Sequence, residues 1–532
     1  MTRSRWWVVV LVGASLGCGG GTPPLSIDEA VDSLDLDVFL THMSTLGDDA
    51  MTGRRPGTPG FDSAAAYVER EVRSLGLQPG GVDGSYRQPI TFRQSMVDHE
   101  SASFLAGGDA LAYSSDFSLS ARVLTTDTDL TAPLVFAGFG IRAPDLGYDD
   151  LDGLDLEGKL VVVIVGAPDD FGSLPRTVLS SAAARDGDLI ARGAVGVVQV
   201  ALGSTAAPPS RRPRVRFLPP GSVAADREEL SVSATVTESV AAGWLRDAGL
   251  DFDDVLVSLI AGTPVSRDLG IEGTVRARYL HETFESSNVA ALVLGADPEM
   301  ANEHLVVTAH LDHIGVGASV IGDSIFNGTL DNASGSAALL TLARALQRME
   351  APRRSVLFLW LTAEESGLLG SEYFARFPTV DHVAASQNMD GVMGMIAAAT
   401  DVLAFGYEHS NLSDAVDFAV ARTGTPVSPD PTPDQNLFIR SDQYSFVRQG
   451  IPAIWVQAGR TSVDPAIDAQ GELDRWIVER YHAPKDDNDQ PIDMLGVERE
   501  LENNLFVTWH IANEMGPIQW DESSFLFQRF GR

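Results

Sequence analysis

The stretch HLVVTAHLDHIG, residues 304–315, ends a short apolar run with two histidines, His310 and His313, and an aspartate, Asp312. Imidazoles and carboxylates are the side chains that bind divalent cations and move protons near neutral pH. Three later stretches close in a similar way: TLDNASG with Asp331, LTAEESG with Glu364 and Glu365, and QNMDGV with Asp390. A further histidine, His482, sits in RYHAPKDD. Singly, each has an ordinary explanation: a hydrogen-bonded loop histidine, an N-cap aspartate, a solvated acid pair, a turn residue. Together they form a borderline-hard donor set that suits Zn²⁺ and can also hold Mn²⁺ or Co²⁺. Adjacent glutamates after a buried strand are costly to ionise together without a cation nearby. One of the pair can ligate while the other moves the proton of a water molecule. Asp312, two positions after His310, is placed to accept the second ring N–H of that histidine, which would fix its tautomer. His313 has no assigned chemistry and reads as a structural or rim residue.

The elements around these residues explain why they should meet. From about residue 271, strand-like runs (SSNVAALVLG, HLVVTAH, RSVLFLWL, HVAASQNM, IPAIWVQAG) alternate with helical ones (SGSAALLTLARALQRM, LGSEYFARF). Such alternation predicts an α/β domain whose mixed, mostly parallel sheet is covered by helices. In open α/β sheets, ligands bind beyond the carboxyl ends of the strands. His310, the glutamate pair and Asp390 each follow a strand candidate. Asp331 opens the helix near Ser334, where the positive end of the helix dipole favours an anion. All are therefore expected on one edge of one sheet.

The chain has 532 residues, more than one hydrophobic core serves, so two or three domains are expected. A formal net charge of −35 excludes nucleic acid as a partner, which would require a basic surface. Residues 1–17 combine Arg3 and Arg5 with the run WWVVVLVGASLG, too short to span a bilayer and suited to a signal peptide. Cys18, the only cysteine, follows, and residues 18–25 read as a tether. Residues 26–124 carry the turn cluster TGRRPGTPG and an amphipathic helix, FDSAAAYVEREVRSLGL, closed by Gly76. Residues 125–270 change to β-branched runs, APLVFAGFGI, GKLVVVIVGAP and GAVGVVQVAL, with a helix over SSAAARDGDLIARG and no cluster of histidines or glutamates. The third part, 271–532, carries the donor set.

Several motifs resemble known families. Ser15-Leu16-Gly17-Cys18 resembles a bacterial lipoprotein box, implying an exported protein held in the cell envelope by a lipid on Cys18; plain secretion or a periplasmic location is the alternative. HLD (310–312), DNASG (331–335), AEE (363–365), NMD (388–390) and YH…D (481–486) resemble, in order and spacing, the motifs of co-catalytic zinc aminopeptidases and glutamate carboxypeptidases. GRRPGTPG with its following helix, SSNVAALVLG, and SDQYSFVRQGIPAI (441–454) resemble the same family. Residues 125–270 resemble a protease-associated insert. The resemblance implies a zinc aminopeptidase-like fold and two zinc ions per chain. Asp331 would bridge them, His310 and Asp390 completing one set and Glu365 and His482 the other. It implies Glu364 as general base and acid, Asp312 as the partner of His310, and Asp486 or Asp487 in a supporting role near His482. Where the family often has SDH this chain has Ser441-Asp442-Gln443, which puts substrate contacts at Gln443 in question. The implied activity is removal of N-terminal residues from peptides. A glutamate carboxypeptidase-type enzyme, a one-zinc glutaminyl cyclase and a non-catalytic receptor are the competing readings.

Overall fold

The computed structural model describes residues 23–531 apart from 205, 211, 221–228, 392–393 and 395–397. The expected signal peptide at 1–17, Cys18 and most of the expected tether lie outside the described residues. Among the described residues no helix is long and apolar enough to cross a membrane.

The main sheet is a mixed α/β sheet with two parallel blocks. In the first, strands His382–Asn388, Glu303–His310 and Ser355–Leu361 run parallel side by side, and Ala453–Ala458 pairs parallel to His382–Asn388. These strands read as continuous apolar runs because both faces are covered. Every residue of SVLFLWL at 355–361 is buried. Full burial of side chains the size of Phe358 or Trp360 contributes about 1.5–3 kcal/mol each. One covering layer is the helix Ser334–Gln347, buried almost throughout, with Met494–Asn513 and the N-terminal helices Leu36–Leu46 and Pro59–Ser74. Residues from the N-terminal part therefore share the core of the donor-bearing part.

The second parallel block, Asp127–Ala137, Leu160–Ile164, Gly196–Ala201 and Val232–Thr237, has its own core. The two blocks are joined by the 28-residue strand Ser266–Val293, antiparallel to both, which pairs with the 20-residue strand Arg87–Ala106. Only its end, SSNVAALV at 286–293, was read as a strand; the rest of the ribbon was not foreseen. Its stretches alternate buried and exposed residues, so no change of composition marks it. In consequence the boundaries at 124/125 and 270/271 fall away from the edges of this core. The second core already includes Val97, Phe104 and Phe117 and still includes Tyr279.

Candidate metal centre

The strand Glu303–His310 carries His310 at its last position, and Ser355–Leu361 ends three residues before Glu364. Ala363 between them holds φ +58°, and His482 φ +54°, a left-handed conformation rare outside glycine and concentrated at functional sites. Asp331 lies in the turn before Ser334–Gln347, and Asp390 follows the strand His382–Asn388. Four separate segments thus deliver their side chains to one edge. Close approach there depends on Gly335, where a Cβ would lie 2.2 Å from the Met389 oxygen.

His310 Nε2 stands 3.2 Å from Asp331 Oδ1 and 3.4 Å from Asp390 Oδ1. His482 Nε2 stands 3.3 Å from Asp331 Oδ2 and 3.1 Å from Glu365 Oε2. Asp331 therefore turns one oxygen to each group. Donors at about 2.0–2.1 Å from a tetrahedral zinc are separated from one another by about 3.3 Å, which is the spacing of both groups. The chemistry also fits. His310 Nδ1 donates to a backbone oxygen at 3.0 Å, so its Nε2 lone pair is free to face the carboxylates.

That backbone oxygen belongs to Asp312, which corrects the expected pairing. The carboxylate of Asp312 does not take the ring N–H. Its Oδ1 accepts the main-chain N–H of Glu364 at 3.0 Å and ties the two loops together. The chain folds tightly enough after His310 for the carbonyl of residue 312 to reach the ring first. Asp486 also acts through the main chain. Its oxygens accept the N–H groups of Leu330 and Asp331 at 2.9 and 3.0 Å, setting the backbone of Asp331 rather than the ring of His482. Gln443 is fully buried behind the site, joined to Asn388 Nδ2 at 2.7 Å and to the Phe438 oxygen at 2.6 Å, and so offers substrate no surface. Ser441 Oγ donates to Asp390 Oδ2.

Charge is concentrated and poorly screened. Burial pushes the Glu364 carboxyl up; His310 opposes this, but Asp442, Asp390 and Glu365 reinforce it, and the result is well above the usual range. Burial also acts on Glu365 and Asp331, but the facing histidines overcome it, holding Glu365 down to about 2 and Asp331 well below its usual value. For His482, burial is outweighed by Asp331 and Glu365, which raise it to about 9. Asp312 and Asp442, both fully buried, are pushed up by burial to about 7.

Two residues were missed by sequence reasoning. Arg54, from the turn cluster, is fully buried and donates to the backbone oxygens of Leu46, Leu311, Asn327 and Gly328. Its planar guanidinium thus clamps the loops of His310 and Asp331. An arginine after Gly in a turn motif was the available signal. His313, given no role, lies inside the site with Nδ1 2.7 Å from Glu365 Oε1.

A cavity of about 270 Å³ opens onto the centre. His310, Asp331, Glu364, Asp390 and His482 line it together with Leu437, Trp455, Trp476, Ile477 and Tyr481, and Arg440 and Arg460 also reach it. Glu364 is on this wall and Glu365 is not.

A family model, Peptidase family M28, matches residues 288–505, the segment that holds every donor named above. That segment is about two fifths of the chain, and it is similar to peptidase family M28. Among its relatives, the "Probable lipoprotein aminopeptidase LpqL" of Mycobacterium tuberculosis is 23% identical over 83% of this chain and 71% of its own length. Leupeptin-inactivating enzyme 1 of Streptomyces exfoliatus is 28% identical over 43% of this chain and 51% of its own. The vacuolar membrane protease of Yarrowia lipolytica is 31% identical over 20% of this chain. The chain spans about half of the Streptomyces protein and a tenth of the Yarrowia one. Among solved structures, an aminopeptidase from Aneurinibacillus sp. strain AM-1 matches 92% of this chain and 97% of its own, at 19% identity and TM-score 0.51. That likeness establishes that this chain shares its fold.

Proposed function

We propose that this chain is a metal-dependent aminopeptidase of the M28 type that holds two zinc ions. The observation that carries the reading is the division of Asp331, one oxygen 3.2 Å from His310 and the other 3.3 Å from His482. A carboxylate that serves two donor groups in this way suits a pair of cations about 3.5–4 Å apart. His310 and Asp390 would complete one position, Glu365 and His482 the other. When bound there, zinc supplies Lewis acidity toward the scissile carbonyl and makes water a better acid.

The chain's own residues supply the rest. Glu364 lines the cavity without belonging to either donor group, so it is the base that takes the proton of the attacking water and returns it to the leaving amine. Asp312 holds Glu364 by its main-chain N–H, and Ser441 and Asp486 hold Asp390 and the backbone of Asp331. The aromatic and aliphatic wall formed by Trp455, Trp476, Leu437 and Ile477 accommodates an apolar residue of a peptide and excludes water from it. Export, with a lipid on Cys18, is supported by the N-terminal motif and by the printed name of the mycobacterial relative. Residues 125–270 fit a protease-associated insert.

Arg440 and Arg460 favour one second reading, a peptidase that recognises a carboxylate of its substrate. A panel of free-amine and N-blocked peptides, with and without chelator, separates the two. Hydrolysis restricted to free-amine peptides and lost on chelation is expected; cleavage of N-blocked peptides would overturn the aminopeptidase reading. In the same assay Glu364→Gln should lower kcat by about 10²–10⁴-fold with full metal content.

A further inference from the structure

We infer that His313 is a positioning residue for the second metal position: its imidazole holds one oxygen of Glu365 so that the other faces His482 and Asp331. The inference rests on the donor sets proposed above. His313 Nδ1 is 2.7 Å from Glu365 Oε1, while Glu365 Oε2 is 3.1 Å from His482 Nε2. The two contacts differ in kind. A separation of 3.1–3.4 Å, found for the other four pairs of the site, is the edge of a tetrahedron of donors around one ion. At 2.7 Å two donors are too close for that edge, and the distance is that of a direct ion pair between the two side chains. Donor atoms of His313, Asp331 and Glu365 do lie within 4.8 Å of one another, which on its own would admit His313 as a ligand. The short contact to Glu365 assigns it the outer role instead.

The surroundings make the contact obligatory. The side chain of His313 is fully buried, and among the described residues neither of its ring nitrogens nor Glu365 Oε1 has a partner in hydrogen-bond geometry, so the 2.7 Å ion-pair approach is the one close polar contact recorded for these atoms. The ring packs against Gly328, where a Cβ would come within 2.5 Å of the imidazole Cγ, and φ of +60° there already favours glycine. The backbone N–H of His313 donates to the Arg54 oxygen at 3.3 Å, and Arg54 in turn grips the carbonyl of Gly328 at 2.8 Å. His313 is thus wedged between the two loops that carry His310 and Asp331, with the Glu365 carboxylate at 2.7 Å. A carboxylate anchored by one oxygen presents the other at a fixed distance, the usual use of an outer partner in a metal site.

The test is zinc binding, read by competition titration and by metal content after dialysis, on purified wild-type, His313→Leu and His313→Asn proteins. In His313→Leu one equivalent should weaken by about 10–100-fold, the range for loss of an outer partner, and the other should change by less than about threefold. In His313→Asn, whose amide can donate to Oε1, most of the loss should be recovered. With Co²⁺ in place of zinc, the visible spectrum of His313→Asn should match the wild type, because the number of ligands does not change. Unaltered affinity of both equivalents in His313→Leu overturns the inference. So does a Co²⁺ spectrum of His313→Asn that reports a lost nitrogen ligand. Equal weakening of both equivalents, together with a lower melting temperature of the metal-free protein, also overturns it, since that is a general loss of structure. Failure of the wild type to bind two equivalents would count instead against the donor sets themselves.

Discussion

Two buried acids, one in each half of the molecule, are treated in opposite ways. Asp150, in the second core, has every need met: the N–H groups of Phe139 and Ile141 donate to Oδ2 at 2.9 and 3.1 Å, and the Tyr148 hydroxyl donates to Oδ1 at 2.8 Å. Around Asp331, by contrast, Asp312, Asp442 and Glu365 have buried carboxylate oxygens with no hydrogen-bond partner among the described residues, and six acids crowd three histidines. A satisfied buried carboxyl closes a turn. A crowd of unsatisfied ones is stable only when something positive is added. Burial of acid is common to both halves; what separates architecture from chemistry is whether the lone pairs are spoken for.

The sharpest way to break the contrast is to remove the shared acid. Asp331→Asn should weaken both zinc equivalents at least about 100-fold, more than an outer partner would, and abolish peptide hydrolysis. The metal-free protein should melt no lower than the wild type, since one of several repelling charges has gone. A metal-free protein that unfolds would mean that Asp331 is structural, as Asp150 is. The counterpart, Asp150→Ala, should leave zinc content unchanged and destabilise the second core by about 2 kcal/mol, because two backbone donors and a phenol lose their acceptor. Urea unfolding monitored alongside metal content tests both.

A gentler test uses pH. Burial raises the Asp150 carboxyl to about 7, overriding its three hydrogen bonds, so the folded protein holds this proton more tightly than the unfolded chain. Stability from that difference is fully present below the unfolded value near 4 and is lost as pH rises toward and through 7. Asp150→Asn keeps the hydrogen bonds, since the amide can offer its oxygen to the backbone and its NH₂ to Tyr148, and should flatten this slope. An unchanged slope of unfolding free energy between pH 5 and 8 would remove Asp150 as its source.

How far the sequence led can be judged residue by residue. His310, Asp331, Glu365, Asp390 and His482 were legible because each closes an apolar run or sits in a motif, and a parallel sheet turns ends of runs into one edge. The runs at 304–310, 355–361 and 453–458 became strands as read. Of the ribbon of 87–106 and 266–293 only the end at 286–293 was read as a strand; the rest was not legible, because its residues alternate between buried and exposed and no continuous apolar run marks it. Asp312 was misread for a reason of scale: a two-residue offset specifies that His310 meets residue 312, but not whether carbonyl or carboxylate gets there first. His313 and Arg54 escaped because their roles consist of contacts to segments remote in the chain, Glu365 and residues 327–328, and no local pattern carries that information.

The weakest link between the halves gives the smallest expected effect. The helix Ser173–Ser180 of the second half meets the loop before the cavity wall through hydrogen bonds to Asn436 and through apolar packing. Asn436, held at φ +49°, donates to Ser173 Oγ at 2.8 Å and Thr177 Oγ1 at 2.9 Å. Its neighbours Gln435 and Leu437 line the cavity, and Val178 shares a core with Trp455, another lining residue. Replacing both hydroxyls, Ser173→Ala with Thr177→Ala, loosens the loop without altering any donor of the metal centre. A few-fold rise in KM for peptides with a bulky apolar first residue is expected, with kcat and zinc content unchanged, because the wall binds the side chain while Glu364 and the donors act on the peptide bond. A fall in kcat with constant KM would instead tie the second half to the chemistry, and the division drawn between the two buried acids would no longer coincide with the division between the two halves.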